Sequence, residues 1–255
     1  MKRLAGQPND KNIAEMLKLI KDADTVELKL TVQDTDHRSA IDSLEMDVLD
    51  AELRQVVFFD TPDLKLSQNG VVVRARRGRR GGDTVIKLRP VVPAELSREL
   101  RHCDSFNVEV DAMPGAVVCS GSLRGKANNA DVKLALLAKR PIRKLFSREQ
   151  RALYRQHAPK GLDIDSLIPF GPINVAKLRW TPPSFTRFLV AELWFYPDGS
   201  RILELSTRCR PDEAFHVLAE TRVFLMERGL SLTGKQETKT RRALEYFAHL
   251  HRGES

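Results

Sequence analysis

Cysteine is scarce in this chain of 255 residues, and the three present, Cys103, Cys119 and Cys209, are widely separated. An odd number without a CxxC pair excludes a disulfide framework and a cysteine-built metal site, and it suits a reducing compartment. The six histidines form no HExxH motif, which argues against a histidine zinc centre. No apolar run approaches the roughly 20 residues needed to span a bilayer, and the basic start is not followed by an apolar signal core. The expectation is a soluble, cytoplasmic protein without a membrane partner. Acidic residues are in deficit, 34 against 42 Lys and Arg, leaving a net charge of +8. That excess favours anionic partners, among which nucleic acid, phosphorylated metabolites and membrane surfaces all qualify. Nucleic acid is disfavoured, because the basic segments lack interleaved stacking aromatics.

The apolar residues are distributed at two periods. Helical spacing marks residues 11–22, a mixed stretch over 38–54, and two C-terminal segments at 211–229 and 237–251. Strand-like alternation marks 25–32, 55–59, 70–77, 83–89, 106–111, 173–180, 188–196 and 200–208, with a hairpin turn at Pro197-Asp198-Gly199. Residues 112–170 are weakly patterned and basic, and read as a helical insertion or flank on a single domain. Ser147 and Gln150 there fit a capping box. In FFDTPDLKL, Asp60 suits a structural role as acceptor for the amides that follow.

Alternation carries the functional argument. Residues two apart on a strand share a face. One face holds Thr25, Glu27 and Lys29, then Arg74 and Arg76, Lys87 and Arg89, Lys177 and Arg179, Glu192, Glu204 and Ser206; the other is Val, Leu, Ile and Ala. Glu109 and Asp111 define a further such face, for which pairing with arginine is the competing role. An ordinary half-wet sheet would carry more Thr, Ser and Gln, and the helices need an apolar surface to cover. The expected fold is therefore α+β, a closed antiparallel barrel with helices outside and charge inside. Such a lumen needs a polyanion for its cations, while its carboxylates suit either those cations or Mg2+ or Mn2+.

The segments VELK, FFDTPDLKLSQNGVVVRARR, IKLRP, AKLRW, AELWFYPDGSRILELS and KTRRALEYF resemble the CYTH superfamily, the triphosphate tunnel metalloenzymes. The resemblance runs from about residue 23 to 250 and is weakest over 112–170. It implies an eight-stranded antiparallel tunnel that binds a small-molecule triphosphate with Mg2+ or Mn2+. It further implies Glu27 and Lys29 as catalytic residues, and Lys29, Arg74, Arg76, Lys87, Arg89, Lys177 and Arg179 as substrate ligands. Glu27, Glu192 and Glu204 would be the metal ligands. The implied activity is hydrolysis of inorganic or organic triphosphate; the alternative is adenylyl cyclisation of the class IV type. Thr25 and Ser206 stand where family members carry carboxylates, which leaves the metal count open and keeps a binding module with weakened catalysis in view. A homodimer is compatible with the sequence but not specified by it.

Overall fold

In the computed structural model, which describes residues 10–231 and 238–253, the alternating segments join edge to edge into one closed barrel. Its strands are β1 (Thr25–Val32), β2 (Glu52–Asp60), β3 (Val71–Gly78), β4 (Gly81–Leu88), β5 (Phe106–Met113), β6 (Ala116–Ala127), β7 (Ile168–Trp180), β8 (Leu189–Phe195) and β9 (Arg201–Cys209). Around the barrel they follow the order β1-β5-β6-β4-β3-β2-β7-β8-β9.

Two expectations are corrected. The strands number nine rather than eight, because Ala116–Ala127, whose Cys-Ser-Gly-Ser centre hides its alternation, forms β6 between β5 and β4. The barrel is also not wholly antiparallel. β1 lies parallel to β5 from Thr25 opposite Glu109 to Leu28 opposite Ala112, while the other neighbouring strands are antiparallel.

Among the described residues, eight α-helices accompany the barrel: α1 (Asp10–Lys21), α2 (His37–Ser43), α3 (Lys65–Gln68), α4 (Arg98–Arg101), α5 (Asn129–Leu136), α6 (Arg148–His157), α7 (Ala214–Glu227) and α8 (Lys239–Arg252). The mixed stretch 38–54 resolves into most of α2, a helical turn at Val48–Asp50 and the start of β2. Residue 237, expected to open the last helix, lies outside the described residues. Within 112–170 the two basic helices are α5 and α6, but 116–127 belongs to the barrel wall.

The apolar faces point outward and are covered. Val26, Leu28, Val73, Ala75 and Ile86 are buried in one cluster with Val132 of α5 and Leu153 and Tyr154 of α6. Leu30, Leu203 and Leu205 pack with Phe224 and Leu225 of α7. Gln150 fixes α6 to the wall: it completes the capping box with Ser147 and donates to the carbonyls of Thr84 (3.2 Å) and Leu123 (3.1 Å). A third cluster is different. Val56, Phe58, Trp194 and Ile202 share faces with the inward charges, yet they are buried with Ala243, Leu244 and Phe247 of α8. Thus α8 packs across one end of the lumen on an apolar floor.

Asp60 organises the chain between β2 and β3. Its buried carboxylate accepts from the amides of Thr61 (2.7 Å), Leu66 (2.9 Å) and Ser67 (3.0 Å). The segment leads to Gly70, whose φ of 72° suits glycine and where a Cβ would lie 2.7 Å from the Arg89 carbonyl. Arg89 in turn donates its amide to Gly70 at 2.8 Å, which sets the backbone of a cavity residue. Asp60→Ala strands three amides and should lower the unfolding free energy by about 3 kcal/mol in a urea titration. Asp60→Asn, which keeps one acceptor oxygen, should cost clearly less.

Candidate functional site: a charged cavity inside the barrel

The inward faces enclose a cavity of about 1390 Å³. Among the described residues, thirteen lysines and arginines line it against five glutamates. Glu27, Lys29, Arg74, Arg76, Lys87, Arg89, Lys177, Arg179, Glu192 and Glu204 all lie on its wall. Cross-strand register brings them together: Glu192 faces Lys177 on one side and Glu204 on the other, and Lys29 faces Ser206. Thr25 sits beside Glu109 on β5, within 3.5 Å of the Asn107 side-chain amide.

The carboxylates form two groups. Asp111, fully buried, holds Lys29 at 2.7 Å and Arg89 at 3.0 Å, with Lys87 at 3.8 Å. Glu27 meets Lys29 at 3.0 Å and Arg208 at 3.4 Å, while Glu109 meets Arg208 at 2.9 Å. Glu27, Glu109 and Asp111 each offer an oxygen within 4.8 Å of the others. Three hard oxygen donors at this spacing fit a divalent cation such as Mg2+ or Mn2+, which would have to displace Lys29 or Arg208 from part of the cluster. The second group is Glu192 and Glu204, both gripped by Lys239 from the first turn of α8, at 2.5 and 2.7 Å. The ligand set Glu27, Glu192 and Glu204 is therefore split between two cation-bound centres. Among the described residues, the three carboxylates within 4.8 Å of one another are Glu27, Glu109 and Asp111, a group that shares Glu27 with that set.

On the wall formed by β2, β3, β4 and β6 compensation is incomplete. Arg74 Nε is buried without a hydrogen-bond acceptor, and its guanidinium has no ion pair among the described residues. Burial and the neighbouring Arg76 pull its pKa down to about 9, a sign of how costly the charge is without an anion. Arg76 is held by Asp83 at 2.9 Å and Arg54 by Glu52 at 2.6 Å. Arg179 lies 4.3 Å from the centre of the Phe188 ring. Lys87 is lowered to about 8 by burial and by Lys29 and Arg89, against the pull of Asp111. The carboxylate groups behave oppositely. Burial opposes the charge on Glu27, but Lys29 and Arg208 outweigh it and hold the carboxyl at about 2. Burial likewise opposes charge on Lys29, yet Asp111 and Glu27 raise its pKa well above the usual lysine value.

Arg54, Arg124, Arg208 and Lys239 also line the cavity and were not singled out from the sequence. Three of them carried a signal. Arg208 continues the Glu204, Ser206 face by two residues, Arg124 follows Ser122 at the same period, and Arg54 precedes Val56 on the inward face of β2. Lys239 enters from a helix, where alternation gives no guidance.

Comparison with solved structures places this architecture. A candidate adenylate cyclase from Bacillus halodurans superposes with a TM-score of 0.60 over 86% of this chain and 98% of its own, at 17% identity. A candidate adenylyl cyclase from Hippeastrum, described as having a dominant triphosphatase activity, superposes with a TM-score of 0.58 at 17% identity, over 90% of this chain and 96% of its own. The chain shares the fold of these two proteins, and at this identity the likeness concerns the fold alone. No family model and no curated protein sequence matches the chain. No helix among the described residues is long and apolar enough to cross a membrane.

The charge geometry makes opposite mutants distinguishable. Arg74→Met removes a buried, unpaired charge, so it should raise the unfolding free energy by about 1 kcal/mol while weakening tripolyphosphate binding at least tenfold. Asp111→Ala leaves Lys29 and Arg89 without their buried counter-ion and should lower stability by about 3–5 kcal/mol. Denaturant titration with calorimetric binding reads both. Since Lys87 loses its proton near pH 8, affinity for tripolyphosphate should decline as pH rises through that value. In Lys87→Arg, whose guanidinium stays charged, the decline should be absent.

Proposed function

We propose that the protein is a divalent-metal-dependent hydrolase of triphosphate compounds bound inside the barrel. The observation that carries this reading is Arg74: a half-buried arginine whose enclosed Nε is unsatisfied, beside Arg76 and facing a cavity with an eight-charge excess of cations. A buried cation without a counter-ion is strongly unfavourable, and a phosphate oxygen is the partner whose geometry matches a guanidinium fork. With Arg76, Lys87 and Arg124 along the same wall, the row of cations suits a chain of phosphates better than a single one.

Arg74, Arg76, Arg124 and Lys87 would bind the phosphate chain, and Lys177 and Arg179 would bind from the facing β7 strand. Lys29 carries its proton firmly because Asp111 and Glu27 raise its pKa, so it can donate a hydrogen bond to an oxygen that gains charge as a P–O bond breaks. Glu27, Glu109 and Asp111 would hold Mg2+ or Mn2+. A divalent ion there supplies charge neutralisation on phosphate oxygens and a lowered water pKa. Binding the ion requires Arg208 to swing out. At 51% side-chain exposure it has solvent to enter.

The two solved neighbours support the reading, one being described as a triphosphatase and both as adenylyl cyclase candidates. Cyclase chemistry would use the same phosphate cradle with ATP and release cyclic AMP. The deciding assay is phosphate release from tripolyphosphate, thiamine triphosphate and ATP, each with Mg2+, with Mn2+ and with chelator, alongside measurement of cyclic AMP. Metal-dependent phosphate release is expected, reduced at least a hundredfold in Lys29→Met. No release from any of the three, with either metal, would sink the proposal.

A further inference from the structure

A second cavity, of about 320 Å³, lies against the barrel wall beside Lys29. Its lining is mostly hydrocarbon: Ile20 of α1, Val26, Leu28 and Leu30 of β1, Val117 of β6 and Leu205 of β9. It does not stand apart from the charged cavity. Lys29, Met113, Ala116, Ser206 and Thr207 lie on the walls of both.

The reason is the one parallel seam of the barrel. β1 pairs with β5 only as far as Leu28 opposite Ala112, and from Lys29 to Val32 it is hydrogen-bonded to β9 alone. Beyond Leu28 no backbone ladder closes the wall between β1 and the β5–β6 hairpin. An apolar chamber fills that position, next to the lysine assigned to the phosphate chemistry.

Polar groups at the chamber are few. Thr207 is already committed, its hydroxyl donating to the Phe188 carbonyl at 2.9 Å. Thr221 of α7 is not: it is 8% exposed, and its Oγ1 has no hydrogen-bond partner. A buried hydroxyl left unpaired is costly, and it marks a place where a ligand heteroatom would be held.

We propose that this chamber receives the organic group of a triphosphate ester, so that the preferred substrate is the triphosphate of a hydrocarbon-rich alcohol rather than inorganic triphosphate. The inference rests on the triphosphate reading above. Phosphates lie along the cationic wall, and the ester oxygen lies near Lys29 and Ser206. The hydrocarbon enters the chamber, with at most one heteroatom meeting Thr221. The chamber's size is at the lower end of the roughly 300–1,000 Å³ typical of small-molecule sites. It therefore suits a short chain or a single ring system.

The test is a calorimetric series of ethyl, butyl and octyl triphosphate on the full chain without metal, so that binding is read without turnover. Dissociation constants should fall at least tenfold from ethyl to octyl. Val117→Phe, which fills the chamber, and Leu218→Trp, which covers it from the exposed rim of α7, should each reduce the octyl-to-ethyl ratio below threefold. Thermal unfolding establishes that each variant is folded. A flat series on the native protein, or a slope that survives in both folded variants, would overturn the proposal. Tripolyphosphate turnover together with a flat series would reject the chamber's role alone. A steep series without any turnover would reject hydrolysis alone.

Discussion

The structure depends on burying charge inside a barrel, and Asp111 is the point where that burial balances. Its carboxylate is fully enclosed and meets Lys29, Arg89 and, at longer range, Lys87. Without it the cations on β1 and β4 would face one another at low dielectric, where repulsion is strong. With it, one side of the lumen is internally compensated. The opposite wall is not. Arg74 has no ion pair among the described residues and its Nε is unsatisfied, so the asymmetry of compensation within a single cavity separates the part that is built from the part that awaits a partner.

Stability and function pull in different directions across that boundary. Ion pairs around Asp111, Glu192 and Glu204 hold lysines in fixed positions by supplying counter-ions that burial demands. Arg74 does the reverse, costing stability in the free protein and recovering it on anion binding. The apolar floor on α8 contributes to both. Phe58 and Trp194 close one end of the lumen with Leu244 and Phe247, and the same helix delivers Lys239 to Glu192 and Glu204.

Much of this was legible in the sequence, because period-two alternation is local. Glu27 and Lys29, Arg74 and Arg76, and Lys177 and Arg179 can be assigned to one face without knowing the neighbours of their strands. The barrel follows once the helices are seen to need the other face. What remained hidden is non-local. β6 has small residues where a strand signal needs bulk, so its Arg124 escaped notice. The grouping of Glu27 with Glu109 and Asp111 exists only because β1 closes the barrel on β5 in parallel, a pairing that no residue pattern announces. Lys239 reaches the site from a helix, and the chamber beside Lys29 arises from a ladder that stops at Leu28.

The central claim is that the uncompensated wall is a phosphate-chain site inside the barrel. A crystal structure of the protein soaked with tripolyphosphate and Mn2+ tests it most directly. The account predicts phosphate density in the lumen against Arg74 and Arg76, with manganese anomalous signal at Glu27, Glu109 and Asp111. Phosphate bound only on the outer surface, with the Arg74 side chain unchanged and still unpartnered, would contradict it.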